Sequence, residues 1–93
     1  MNNTPLFPMG QIVATPLVVD IFEEADEYYL DYLERHVTGD WSEMDKEDQK
    51  ENRYSVDKYL RIFSAYTLSN GVKIWIITEA DRSATTILLP EEY

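Results

Sequence analysis

A small α+β fold is what this sequence predicts, on three observations. Between Pro16 and Val37 the apolar residues recur at three- and four-residue spacing, the period of amphipathic helices. After Val56 they give way to three β-branched or aromatic runs, Leu60–Leu68, Val72–Glu79 and Ala84–Leu89, separated by the turn residues Asn70-Gly71 and Asp81-Arg82-Ser83. The whole net charge of −10 lies between Asp20 and Asp57, where fourteen Asp and Glu face four Lys and Arg, and the rest of the chain is balanced. The expected architecture is two or three helices packed on a three- to four-stranded antiparallel meander.

Residues 1–9, with Pro5 and Pro8, read as an irregular N-terminal arm. Residues 10–93 read as one domain with an acidic helical half, 10–57, and a β-meander half, 58–93. Gln11–Ala14 could add a short strand. Thr15-Pro16 places an N-cap before a proline at the first helical position, where the missing N–H does no harm. Leu17 with Ile21 and Val18 with Phe22 fall four apart, and Asp20, Glu23 and Glu24 fall on the other side, so a helix should run to about Ala25. Asp26 is placed to cap a second helix, with Glu27 in its first turn. Leu30, Leu33 and Val37 form its apolar stripe, joined by Tyr29, and Thr38-Gly39 ends it. One long kinked helix over 16–37 fits the same spacing.

Asp40-Trp41-Ser42 is a connector. Asp45 to about Tyr54 is a third helix with almost no apolar residue, which places it on the solvent side. Asn70-Gly71 is a two-residue hairpin signal. The middle run is apolar on nearly both faces, so it should be a central strand, with a helix over one face and other material over the second. Pro90 ends the last strand.

Ninety-three residues make one domain with a small core. There is no cysteine, which excludes disulfides, thiolate metal sites and a cysteine nucleophile. The N-terminus has no basic region and no long apolar run, so no signal peptide is expected, and no stretch approaches a membrane span. The expected location is the cytoplasm. Strong negative charge should repel nucleic acid and anionic membranes and attract a basic protein. Gly10, Gly39 and Gly71 stand too far apart for a phosphate loop. No cofactor or metal is expected.

Two groups of residues carry the functional expectations. The first is a surface corner of His36, Asp40, Trp41, Asp81 and Arg82. His36 with Asp40 has the composition of a general base and its orienting carboxylate, but no nucleophile motif accompanies it. A histidine that favours the helix C-terminus and bonds a nearby carboxylate is the preferred explanation of the pair. Arg82 could clamp a carboxylate or phosphate, or pair with Glu79, Asp81 or an acid of the helical layer, fastening sheet to helices. Asp45–Asn52 is acid-rich but lacks the mid-loop glycine and alternating ligands of a calcium loop. The second group is an acidic face of Asp20, Glu23, Glu24, Glu27, Asp31 and Glu34, whose spacing lines several carboxylates along one side. Such an array can imitate duplex phosphates, or simply keep the protein soluble. The surplus of tyrosine, seven residues, suits an interface.

Three segments carry a resemblance: Arg35-His36-Val37-Thr38-Gly39-Asp40-Trp41, Phe63-Ser64-Ala65-Tyr66, and Ile77-Thr78-Glu79-Ala80-Asp81-Arg82-Ser83 continuing through Thr85-Thr86-Ile87-Leu88-Leu89-Pro90. Together they resemble a family of small uncharacterised bacterial proteins of plasmids, integrative elements and prophages, some labelled "plasmid-related protein". Ser42 departs from the glycine that follows the tryptophan in that family. The resemblance implies a bacterial mobile-element setting and supplies no catalytic residue. The expected function is a non-catalytic acidic binding protein, in its most concrete form a DNA mimic or anti-defence regulator of a basic nucleic-acid-handling protein. One alternative is a small hydrolase or metal-dependent enzyme centred on His36, Asp40 and Arg82. Another is a structural homodimer formed through exposed tyrosines and a sheet edge.

Overall fold

The computed structural model describes residues 4–93. The elements follow in the order β1 (Gln11–Ala14), α1 (Pro16–Ala25), α2 (Tyr29–Val37), α3 (Lys46–Lys58), β2 (Ile62–Thr67), β3 (Lys73–Thr78) and β4 (Ala84–Leu88), with a closing 3-10 turn at Pro90–Glu92. The α+β class holds. Strands β2, β3 and β4 form the expected antiparallel meander. The full sheet, however, is mixed: its order is β1-β4-β3-β2, and β1 runs parallel to β4, with Gln11 opposite Ala84 and Ala14 opposite Ile87. Three helices and two strands separate these partners, which is ample chain for a parallel connection. Gly10 sets up the pairing: at φ +65°, a Cβ there would lie 2.4 Å from the Arg82 carbonyl oxygen.

Helix α1 begins as expected, with the Thr15 hydroxyl accepting from the Val18 N–H at 3.2 Å and Pro16 in the first turn. It ends at Asp26, which is left-handed (φ 55°) and donates its N–H to the last carbonyls. Asp26 therefore closes α1 and does not cap α2. Aspartate is among the few residues that enter this region readily. Helix α2 starts after Tyr28, without a side-chain cap, so 16–37 is two helices. Its buried face is Tyr32, Leu33, His36 and Val37, and Leu30 is exposed. The three-four rhythm is kept, but rotated one position from the expected stripe, because Tyr32 and His36 occupy core positions.

Helix α3 is capped by Asp45, which accepts from the Asp48 N–H at 2.9 Å, and it runs one turn beyond expectation. Its buried residues are polar, Asn52 and Ser55. The β2–β3 connection is also one residue longer than a two-residue turn. Leu68 accepts from the Gly71 N–H and donates to the Val72 carbonyl, both at 2.9 Å, and only Gly71 has positive φ (+87°). This is a turn followed by a glycine bulge, the three-residue alternative for hairpins.

The main core joins Val18 and Phe22 of α1 and Tyr32 and Leu33 of α2 to Tyr66, Ile74, Ile76 and Ile87 of the sheet. A second cluster joins Phe7, Val37, Trp41 and Ile62. The irregular arm therefore contributes to the core: Phe7 is buried, and the Leu6 N–H bonds the Val37 carbonyl at 2.8 Å. Of the expected arm, residues 1–3 lie outside the described residues. The far face of β3 is shielded by Phe63, Trp75 and Tyr93, which meet edge-on at centroid distances of 4.9 and 5.7 Å.

Candidate functional site

The expected surface corner is mostly interior. His36, Trp41 and Arg82 are 0%, 1% and 6% exposed, so none of the three presents a binding surface. His36 does not bond Asp40. Its Nδ1 lies 2.5 Å from Ser64 Oγ and its Nε2 2.8 Å from Thr78 Oγ1. These contacts belong to a longer chain: Trp41 Nε1 donates to Ser64 Oγ at 2.8 Å, Thr78 Oγ1 is 2.6 Å from Thr85 Oγ1, and Thr85 donates to the Met9 carbonyl at 2.8 Å.

The carbonyl end of that chain and the neutrality of the buried ring orient its protons. A carbonyl can only accept, so the Thr85 hydrogen is committed to Met9. Thr78 must then donate to Thr85, which leaves its oxygen to accept from His36 Nε2–H. At the other end Ser64 accepts the indole N–H and keeps its own hydrogen to donate; because the buried ring is neutral and its one proton is on Nε2, Nδ1 accepts from the Ser64 hydroxyl. His36 is thus a neutral imidazole protonated on Nε2. Burial pushes its pKa down to about 3. Among the described residues no buried side-chain polar atom lacks a partner. Sequence reasoning missed Ser64, Thr78 and Thr85. Their only signal is small hydroxyl residues at inward positions of otherwise apolar strands.

Asp40 belongs to a different group, at the surface. Its Oδ2 receives Arg35 Nε at 2.7 Å, and its Oδ1 receives the Ser42 hydroxyl at 2.8 Å. Burial works to raise the Asp40 carboxyl, but the Arg35 and Ser42 donors outweigh it and hold the pKa below its usual value. Arg35 also reaches Glu43 at 3.1 Å and stacks 4.4 Å over the Tyr66 ring. Glu43 in turn accepts from the Thr67 N–H at 2.9 Å.

Among the described residues Arg82 donates to backbone carbonyls and forms no salt bridge. Its guanidinium donates to Leu60 (2.7 Å), Ser55 (2.9 Å), Glu79 and Ala80 (both 3.2 Å). It fastens the β3–β4 turn to the end of α3, as a residue of that turn was expected to do, but through carbonyls. The Leu60 and Ser55 oxygens belong to the last turn of α3 and its exit, where a cation is favoured. Phe7 and Tyr59 lie 5.6 and 5.0 Å from the guanidinium carbon. Asp81 stays exposed and accepts from the Ser83 N–H at 3.0 Å.

The acidic face is at the surface. Asp20, Glu23, Glu24, Asp31 and Glu34 are exposed, and so is Asp26, which the expectation did not include. Glu27 is the exception: it is half-buried, takes the Tyr32 hydroxyl on one oxygen and the Ser69 N–H (2.6 Å) on the other. The Ser69 and Tyr32 donors hold its pKa below the usual value. Between residues 20 and 34 there are seven acids and no base. A separate open groove of about 510 Å³ lies along α3, lined by Glu47, Lys50, Glu51, Tyr54, Ser55 and Leu60.

Among the described residues no group of three or more His, Asp or Glu is placed to hold a metal ion. No helix among them is long and apolar enough to cross a membrane. No family model, curated protein or solved structure matches the chain.

Proposed function

We propose that the chain is a non-catalytic acidic binding protein whose α1–α2 face engages a basic, nucleic-acid-handling protein. The observation that carries this reading is the run of exposed carboxylates, Asp20, Glu23, Glu24, Asp26, Asp31 and Glu34, with no cation among them in sequence. The α3 acids are interleaved with Lys46, Lys50 and Arg53, so they give a mixed surface. Along α1 and α2 the exposed acids come at about one per ~6 Å of helix axis, sparser than the ~3.4 Å per phosphate of one DNA strand but of one sign. The unbroken sign supports an imitation of duplex phosphates, and the mobile-element setting implied by the resemblance suits an anti-defence role.

The hydrolase reading has no comparable support, since His36, Asp40 and Arg82 direct their polar atoms to three different sets of partners. The test is binding to a basic nuclease or DNA-binding protein in competition with duplex DNA, across a salt gradient. Binding should weaken with salt and exclude the duplex. Neutralising Asp20, Glu23, Glu24, Asp31 and Glu34 to their amides should lower affinity at least about fivefold, since exposed pairs contribute ~0.2–1 kcal/mol each. Unchanged binding by that variant would end the proposal.

A further inference from the structure

The two edges of the sheet are treated differently. At β2 the outward backbone groups of Phe63 and the Thr67 N–H are covered by side chains. The Phe63 carbonyl accepts from Asn52 Nδ2 at 2.7 Å, the Phe63 N–H donates to Asn52 Oδ1 at 3.2 Å, and the Thr67 N–H donates to Glu43. At β1 nothing comparable is present among the described residues. Gln11 and Thr15 direct their N–H groups to β4. By the alternation of a strand, the N–H and C=O groups of Ile12 and Ala14 therefore point away from the sheet. The strand itself is apolar, with Ile12 and Val13 39% and 40% exposed. Residues 1–19 contain no Asp, Glu, Lys, Arg or His, in a chain of net charge −10.

We propose that β1 pairs antiparallel with β1 of a second copy, joining two four-stranded sheets into one. A second copy fits because charge confines the approach. Two molecules of −10 repel least where both present a segment without charge, and β1 is such a segment, with a carboxylate only at its end, where Glu92 accepts from the Thr15 hydroxyl at 2.8 Å. It also fits because Asn52 and Glu43 lie over the β2 edge at Phe63 and Thr67, which leaves β1 the more open edge of each copy. Two copies joined there complete a pair about a two-fold axis. Placing the axis at Val13 sets Ile12 opposite Ala14 of the second copy. That register makes four backbone hydrogen bonds and puts the two Val13 side chains face to face. Four bonds and a narrow apolar rim make a weak dimer, with dissociation in the micromolar to millimolar range.

The dimer is independent of the proposed capture of a basic protein, and salt separates the two: it should strengthen the dimer by screening the acids and weaken the capture. The first experiment is sedimentation velocity from micromolar to millimolar protein at low and high salt, together with cysteine cross-linking. The chain has no cysteine of its own. In the proposed register the Val13 Cα atoms lie about 4.5 Å apart, within disulfide range. Val13→Cys should therefore form a disulfide dimer under native conditions, and Lys73→Cys on the exposed part of β3 should not. Val13→Lys should raise the dissociation constant about tenfold or more by opposing like charges, even though it lowers the overall repulsion. Ile12→Pro should act likewise by removing an outward donor. A monomer at millimolar concentration, cross-linking by Val13→Cys no faster than by Lys73→Cys, or a dimer that Val13→Lys leaves intact would each overturn the proposal. Circular dichroism confirms that each variant is folded.

Discussion

A proton on His36 would have no carboxylate to receive it. The ring faces Ser64, Thr78 and the edge of Phe7 (5.2 Å between centroids) and has no solvent contact. Protonating Nδ1 would also strip Ser64 of the acceptor for its hydrogen. The folded-state pKa, about 3, therefore lies well below the unfolded value near 6.5. Above pH 6.5 both states are neutral and the group contributes no pH dependence. As pH falls below 6.5 the unfolded chain binds a proton that the fold refuses, so stability declines continuously toward pH 3. At ~1.4 kcal/mol per pH unit, the loss between pH 7 and pH 5 is about 2 kcal/mol. Urea unfolding at the two values measures it. His36→Gln should be less stable at pH 7 and should flatten this slope. A slope unchanged in that variant would assign the acid sensitivity elsewhere.

Among the elements, α3 has the least apolar sequence, yet it closes one side of the sheet. Asn52 does this by presenting both a donor and an acceptor to Phe63, as the backbone of a neighbouring strand would. Asn52→Ala leaves a backbone N–H and a carbonyl without partners. We expect a loss of about 1–3 kcal/mol in urea unfolding, the cost of an unsatisfied buried pair. The uncovered β2 edge should also promote aggregation, visible by light scattering at concentrations where the parent is clear. A variant as stable and as soluble as the parent would show that α3 packing alone closes this edge. Arg82 acts at the same scale. It is left-handed (φ 62°), a strained position for a residue with a Cβ, and its bonds to four carbonyls keep it there.

At the scale of the whole molecule the charge is divided. Acids crowd α1 and α2, the bases of the sheet half are few, and the first nineteen residues carry no ionisable side chain. Self-repulsion of this kind opposes the compact state and is screened by salt. Raising sodium chloride from low to physiological concentration should move the urea midpoint upward without changing the slope of the transition. A midpoint indifferent to salt would mean that the acids are too well separated in the fold to repel one another. The acidic face and the β1 edge would then respond to salt in opposite directions, one losing a cationic partner and the other gaining a second copy.

The sequence by itself determined the elements whose cause is local. Thr15-Pro16 starts a helix because its side chain and ring act within one turn, and Gly71 bends a hairpin because its own backbone permits positive φ. The antiparallel order of the last three strands follows from their short connections. The acidic face was legible too, since helical spacing alone places most of those carboxylates outward, with Glu27 lost only because Ser69 and Tyr32 reach it from elsewhere. The tertiary structure alone decided the partners of long-range groups. His36 and Asp40 are four residues apart, yet each bonds other groups, because α2 turns the imidazole toward Ser64 and Thr78 while Arg35 claims the carboxylate. Trp41 sits in a connector and is still buried, because Ser64 on a distant strand accepts its N–H. The direction of β1 belongs with these. A four-residue strand carries no local mark of whether its neighbour, about seventy residues away, runs with it or against it.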